Sequence, residues 1–250
     1  MTQEHGQGQA DNLKARDHIP SYEQSGVAMT CRTFDEYMKM FALCEEDLIE
    51  GPILDVAAGA SSFVAEASKL GMTAVAADPL YQLNPDVLSH RGLEEIEEST
   101  AKLDRLKEYF DWSYYGSIER HQANRMRSLE MFIEDYRYDS RSGRYIAAVL
   151  PELPFADNHF RYVLCSHFLF LYGDQFGADF HLLAMRELLR VCMSGGHILI
   201  YPIKTLRWAD YDGLPGLVEQ LRLEGARVAF IPSRLPFIPG STEVMSIGKR

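Results

Sequence analysis

Short apolar runs alternate in this chain with longer stretches where apolar residues return every three or four positions. Ile53, Leu54 and Val56 make the first run, Ala57–Ser62 lack bulk, a helical stretch follows, and a second run, AVAA, ends in Asp78. This order predicts a strand, a tight turn, a helix and a second buried strand. Phe34, Tyr37, Met38, Phe41 and Leu48 recur at helical spacing and predict a helix packed ahead of the first strand.

The interval that follows is too long for a simple crossover. Residues 79–145 hold 67 positions, whereas a whole βαβ unit needs only ~30. Leu93, Ile96, Leu103, Leu106 and Phe110 carry one helical stripe, and Leu129, Met131, Phe132, Ile133 and Tyr136 carry another. The expectation is a helical cap insertion over about 82–143. Strands are then predicted at Tyr145–Val149, Tyr162–Cys165 and His197–Ile203, with Asp157-Asn158 as a turn. A helix over Asp179–Val191 should bury Leu182, Leu183, Met185, Leu188 and Leu189 and stop at Gly195-Gly196. A helix over Leu214–Glu224 and strands over Arg227–Pro232 and Glu243–Ile247 complete the pattern. Residues 1–25 read as a flexible polar tail, and 26–250 as one α/β domain.

Composition narrows the partners. The net charge is -11, with no concentration of Lys and Arg on any segment, so no nucleic-acid partner is expected. Cys31, Cys44, Cys165 and Cys192 are scattered, which argues against zinc and against a disulfide framework. No apolar run reaches 18 residues and the first residues have no apolar core, so neither a membrane span nor a secretory signal is expected and a cytoplasmic location is.

The candidate chemistry gathers at the first unit. Small residues at Ala57–Ser62 allow close backbone approach at a helix start, and Asp78 lies 23 residues beyond Asp55, near the ~20-residue spacing that brings an acid to ribose hydroxyls. This is the layout of a nucleotide-type cofactor site, with the cofactor left open.

Three segments go further: ILDVAAGASSF, LPFADNHFRYVLCSH and LLAMRELLRVCMSGGHILI. Together they resemble the class I S-adenosylmethionine-dependent methyltransferases over roughly residues 50–250, the insert excepted. The resemblance implies a Rossmann-like, seven-stranded, mostly parallel sheet with a C-terminal antiparallel hairpin. It implies S-adenosyl-L-methionine as cofactor, S-adenosyl-L-homocysteine as product and a small-molecule acceptor. It also assigns cofactor contacts to Asp55, Ala57, Ala58, Gly59, Asp78, Pro79, Leu80, Leu150, Pro151, Ser166 and His167. Asp55 is expected to shape the loop or to meet the cofactor amine through water. Two departures stand out. The family's D-x-G-x-G-x-G is here Asp55-Val56-Ala57-Ala58-Gly59-Ala60-Ser61, and the acid often found after the third strand is replaced by Val149-Leu150-Pro151.

Other residues have plainer readings beside functional ones. His167 and Tyr172 are the candidates for catalysis, His167 being equally readable as a structural histidine. Tyr172 and Asp174 lie near enough to the sheet edge to face a substrate. Trp112, Tyr114 and Tyr115 read as glue between cap and domain before they read as a substrate wall. Glu94, Glu95, Glu97 and Glu98 read as a solvated helix face. His121, Arg125 and Arg127 read as its surface partners, an anchor for a carboxylate or phosphate being the alternative. No (D/N/S)PP(Y/F/W) tetrapeptide is present; the matching place reads Cys165-Ser166-His167-Phe168. Two rival functions remain open: an NAD(P)-dependent oxidoreductase and a non-catalytic cofactor-binding protein.

Overall fold

The computed structural model describes residues 22–24, 26–139 and 143–249. Most of the expected polar tail therefore lies outside the described residues. Tyr22 does not behave as tail: it is half-buried, and its N–H donates to the Leu206 carbonyl at 3.1 Å.

In chain order the elements are α1 (Phe34–Met40), α2 (Glu45–Ile49), β1 (Ile53–Val56), α3 (Phe63–Lys69), β2 (Ala74–Ala77), α4 (Pro85–Arg105), α5 (Ile118–Tyr138), β3 (Tyr145–Ile146), β4 (Phe160–Ser166), α6 (Ala178–Val191), β5 (Cys192–Tyr201), α7 (Leu214–Leu223), β6 (Arg227–Pro232) and β7 (Glu243–Gly248). The strands form one seven-stranded sheet in the order β3-β2-β1-β4-β5-β7-β6. The first five are mutually parallel, while β7 runs antiparallel to both β5 and β6. This is the Rossmann-like class I methyltransferase fold. The order reverses between β1 and β4, and an open α/β sheet binds its ligands at the carboxyl ends beside such a switch point.

Alternate residues of the central strands serve opposite faces. Ile53, Tyr162, Leu164 and Leu199 pack with α1, α3, α4 and α5, whereas Leu54, Val56, Val163 and Ile198 pack with α6 and α7. A sheet buried on both faces has no polar alternation to show, which is why these strands read as continuous apolar runs.

Several expectations need correction. The single helix before β1 is two, because Ala42 adopts φ 55° and turns the chain after α1. Strand β3 stops at Ile146 rather than Val149: among the described residues it is an edge strand paired only with β2, whose last residue, Ala77, is its final partner. Helix α6 ends at Val191 as expected, but Gly195-Gly196 does not stop it: the chain passes directly into β5 at Cys192. The glycines sit instead in a register shift between Phe160↔Cys192 and Tyr162↔His197; Gly195 has φ 75°, and a Cβ on Gly196 would lie 2.8 Å from Cys192 Sγ. Leu183 is exposed, and His181, Ala184, Met185, Leu188 and Val191 form the buried side of α6.

Two long helices, α4 and α5, occupy the connection between β2 and β3. Gly92 permits their close approach, since a Cβ there would meet the Leu129 methyl carbons at 2.5 and 2.8 Å. The connection between α4 and α5 is aromatic. Phe110, Trp112 and Tyr115 pack on Phe237 from the β6–β7 turn at centroid distances of 4.9, 5.2 and 4.9 Å. Tyr114 and Tyr115 donate to Asp35 and Glu36 of α1. These aromatics join the cap to the body, with Phe110 also facing an internal cavity.

Candidate functional site

The small-residue loop after β1 does not stand open. Its Thr33-x-x-Glu36 neighbour upstream is a capping box, with Thr33 N–H donating to Glu36 at 2.8 Å. That box starts α1 and leaves the preceding residues extended. Thr30 and Arg32 lie across the loop: Ala60 N–H donates to the Thr30 carbonyl at 2.9 Å, and Ser62 N–H and Ser61 Oγ–H donate to the Arg32 carbonyl at 3.0 and 2.8 Å. Ser62 N–H also meets Ser128 Oγ of α5 at 3.1 Å. The N–H groups of Ala57, Gly59, Ser61 and Phe63 likewise find partners within the protein. The lone glycine is demanded here. Gly59 has φ 58°, and a Cβ would lie 2.7 Å from the Thr30 carbonyl oxygen.

Asp78 closes the loop from the end of β2. Its Oδ2 accepts Gly59 N–H and its Oδ1 accepts Leu80 N–H, both at 2.9 Å. Burial raises its carboxyl pKa, against the effect of these two bonds. Behind it, Asp55 is fully buried and accepts both short contacts of the Tyr37 hydroxyl, at 2.9 and 3.1 Å. Burial, reinforced by Asp78 and opposed by the Tyr37 bond, pushes the Asp55 carboxyl well above the usual carboxylate range.

A cleft opens at the carboxyl ends of β1, β2 and β3. Ala57, Asp78, Pro79, Leu80, Leu150 and His167 of the sequence-derived set line it, together with Phe176 and Phe180 near the start of α6. Asp55, Ala58, Gly59, Pro151 and Ser166 are not on its wall. Gly59 and Ser166 bond to Asp78 and His167, which do line it, while Asp55 bonds to Tyr37 of α1.

A second cavity lies between the cap, the 28–32 segment and the β6–β7 turn. It shares Ala28, Thr30 and His167 with the cleft. Its apolar wall includes Leu103, Phe110, Leu171, Trp208 and Phe237, and its polar groups include Arg32, Glu95, Arg125 and Tyr172. Sequence reasoning missed Arg32 altogether. It set Arg125 and Glu95 on the surface, whereas Arg125 is 8% exposed and Glu95 Oε1 is buried. A signal was present for Arg125. Continuing the Leu129 and Phe132 stripe back by four and eight positions reaches Arg125 and His121, which share the buried face of α5.

His167 sits at the junction with φ 53°. Its Nε2 lies 3.1 Å from Arg32 Nη2 and its Nδ1 lies 2.8 Å from Ser166 Oγ. A guanidinium only donates, so Nε2 is the acceptor and Nδ1 carries the proton. Burial, Arg32 and Arg125 hold the ring well below the usual histidine pKa. The lone pair that a general base requires is thus engaged by Arg32. Tyr172 is buried, its hydroxyl oxygen accepts Ala28 N–H at 2.9 Å, and burial pushes its pKa up to about 12. Asp174 instead pairs with Arg207 at 2.7 Å on the surface. Among the described residues no cluster of three His, Cys, Asp or Glu is placed to hold a metal ion, and no helix is long and apolar enough to cross a membrane.

No family model matches the chain. Over 177 residues it is 36% identical to the uncharacterized protein MJ0045 of Methanocaldococcus jannaschii, covering 70% of this chain and 77% of that protein. Among solved structures it is similar to the PH0226 protein of Pyrococcus horikoshii, at 14% identity and a TM-score of 0.44, over 80% of this chain and 82% of that one. It is also similar to a SAM-dependent methyltransferase of Aquifex aeolicus, at 13% identity and a TM-score of 0.40, over 85% and 90% of the two chains.

Proposed function

The chain belongs to the same family as the Methanocaldococcus jannaschii protein MJ0045, and we propose that it is an S-adenosylmethionine-dependent methyltransferase acting on a small molecule. The observation that carries this reading is the pair of adjoining hollows at the carboxyl edge of the sheet, one over Asp78 and one under the cap, sharing Ala28, Thr30 and His167.

The residues of the cleft fit an adenosyl cofactor without phosphates. Asp78 retains carboxylate lone pairs for two ribose hydroxyls beside its bonds to Gly59 and Leu80. Leu80, Leu150, Phe176 and Phe180 offer an apolar wall for a base. A dinucleotide would need free N–H groups at the helix start to receive its pyrophosphate. Here the Ser62 N–H at the start of α3 is taken by the Arg32 carbonyl and Ser128 Oγ, and the Phe63 N–H by Ser61 Oγ. That closure favours the sulfonium cofactor over NAD(P). When bound, S-adenosylmethionine supplies a methyl group already activated on a sulfonium.

The chain's own residues then have a positioning task. Asp78, Pro79, Leu80 and Leu150 hold the donor side, while Ala28, Thr30 and His167 form the shared wall past which the acceptor must reach. The cap and the Phe237 turn cover the acceptor side and exclude water. With His167 neutral and engaged, and the Tyr172 hydroxyl too weakly acidic to ionise near neutrality, these two residues act by position. The acceptor nucleophile is therefore one that reacts without losing a proton to either of them. An open cleft beside an open cavity also favours turnover over a purely binding role.

Calorimetry with S-adenosylmethionine, S-adenosylhomocysteine, NAD and NADP tests the reading. Micromolar binding of the two sulfur compounds, weakened in Asp78→Ala, is expected; tight binding of a nicotinamide cofactor instead would sink it.

A further inference from the structure

The cavity under the cap holds a buried cation that forms no ion pair among the described residues. Arg125 lies on the inner face of α5 and is 8% exposed, so more than nine-tenths of it is out of solvent. Its Nε donates to His121 Nε2 at 3.2 Å. Among the described residues no carboxylate pairs with it, and its two terminal nitrogens have no hydrogen-bond partner, although it lines the cavity. Arg32 faces the same space, but its charge is matched by Glu36 at 3.3 Å. A guanidinium removed from water without an anion is strongly disfavoured, and its planar fork is the shape that receives a carboxylate or phosphate through two parallel bonds.

We propose that this cavity takes an acceptor bearing an anionic group, a carboxylate or a phosphate monoester, seated on the free edge of Arg125. The inference rests on the methyltransferase reading for the word acceptor, but the anion site is a claim about Arg125 alone. His121 is the positioning residue. Its Nε2 accepts from Arg125, its ring stacks on Phe237 at 5.1 Å, and these contacts aim the fork into the cavity. The remainder of the ligand meets Leu103, Phe110, Leu171 and Trp208, so a compact aromatic or aliphatic body suits the wall. Glu95 also faces the cavity; its Oε1 is buried without a partner and burial raises its carboxyl pKa. The charges of Lys102 and Arg125 oppose that rise.

Benzoate and phenyl phosphate serve as probes for the two anion types, with benzyl alcohol as the neutral comparison. Each is titrated calorimetrically into the wild-type chain with and without S-adenosylhomocysteine. At least one anion should bind saturably and more tightly than benzyl alcohol, and the better of the two names the anion type. Arg125→Gln should weaken that anion by about tenfold to a hundredfold while leaving S-adenosylhomocysteine binding within about twofold, well inside one hydrogen bond's worth. Arg125→Lys keeps the charge without the fork and should fall between. Equal affinity for benzyl alcohol, no saturable anion binding into the millimolar range, or unchanged anion affinity in a folded Arg125→Gln would overturn the inference. Should that variant not fold, Arg125→Lys and the wild-type preference for anion over alcohol decide the matter. Absence of S-adenosylhomocysteine binding in the wild type defeats the methyltransferase reading instead, and the anion titration still reports on Arg125.

Discussion

The cleft over Asp78 and the cavity over Arg125 meet at His167, yet their polar groups are arranged in opposite ways. In the cleft, Asp78 answers the N–H groups of Gly59 and Leu80, and the loop donors answer Thr30 and Arg32. In the cavity, the fork of Arg125 and one oxygen of Glu95 are left without partners. A site whose donors are already satisfied is rigid before any ligand arrives, which lowers the ordering cost of binding. One that buries unmatched groups discriminates, because a ligand lacking the complementary group leaves them unpaired. On the proposed function, the contrast separates the two tasks: a preformed seat for a constant partner, and a selective seat for the variable one.

The largest expected effect comes from removing the acid of the cleft. Asp78→Ala deletes the acceptor of two N–H bonds and, on the proposed function, a ribose contact, and should weaken S-adenosylhomocysteine by about a hundredfold, at about 1.5–3 kcal/mol per lost charged bond. Benzoate binding should be unaffected. Equal losses at both sites would mean that cleft and cavity are one unit and would break the comparison.

The cap is struck by Gly92→Val, where even a Cβ lies 2.5 Å from a Leu129 methyl and 3.1 Å from Met29 Cε. Parting α4 from α5 should cost about 1–3 kcal/mol, read by urea unfolding, and should weaken the benzoate probe more than S-adenosylhomocysteine. The opposite ranking would place the cleft, not the cavity, under the control of the cap.

Asp55 sharpens the electrostatic side. Its folded-state pKa is raised, so the folded chain holds a proton that the unfolded chain has released. Its contribution is therefore fully present below the ordinary carboxyl value of about 3.9 and is lost as pH rises from there through the folded value, at up to about 1.4 kcal/mol per pH unit. Asp55→Asn still accepts from Tyr37 and should flatten that slope in unfolding curves recorded against pH. An unchanged slope would show that Asp55 is ionised in the folded chain.

The smallest effect concerns the shared wall. With Nε2 accepting from Arg32 and the ring pKa held down by burial, Arg32 and Arg125, the His167 ring proton resonance should not titrate near the ordinary value of about 6.5. A clear inflection there would return a base to the junction and erase the division of labour between the hollows.

Much of the cleft could be read along the chain. Ala57, Asp78, Pro79, Leu80, Leu150 and His167 follow strand ends, and a strand end is a local event announced by an apolar run and a breaker. The closure of the loop could not be read, because the carbonyls of Thr30 and Arg32 reach it from a segment whose only local mark is the Thr33–Glu36 capping box. The cavity was harder still. Its walls come from the 28–32 segment, α4, α5, the residues after β4 and the β6–β7 turn, and no local pattern encodes their meeting. Helical periodicity did carry Arg125 and Glu95, each three or four residues from buried neighbours such as Leu129, Gly92 and Ser99. Charge alone then suggested solvent, because a charged residue on a helix is usually exposed.

By itself the sequence determined the alternation of strands and helices, the sheet buried on both faces and the inserted pair of helices, since these depend on the periodicity of burial over a few residues. Only the tertiary structure decided that most of the loop donors are closed, that His167 lends its lone pair to Arg32, and that Arg125 lines a cavity without an ion-pair partner. Each of these depends on groups brought together from distant parts of the chain, and the energy of a buried charge or hydrogen bond is set by what stands beside it in space.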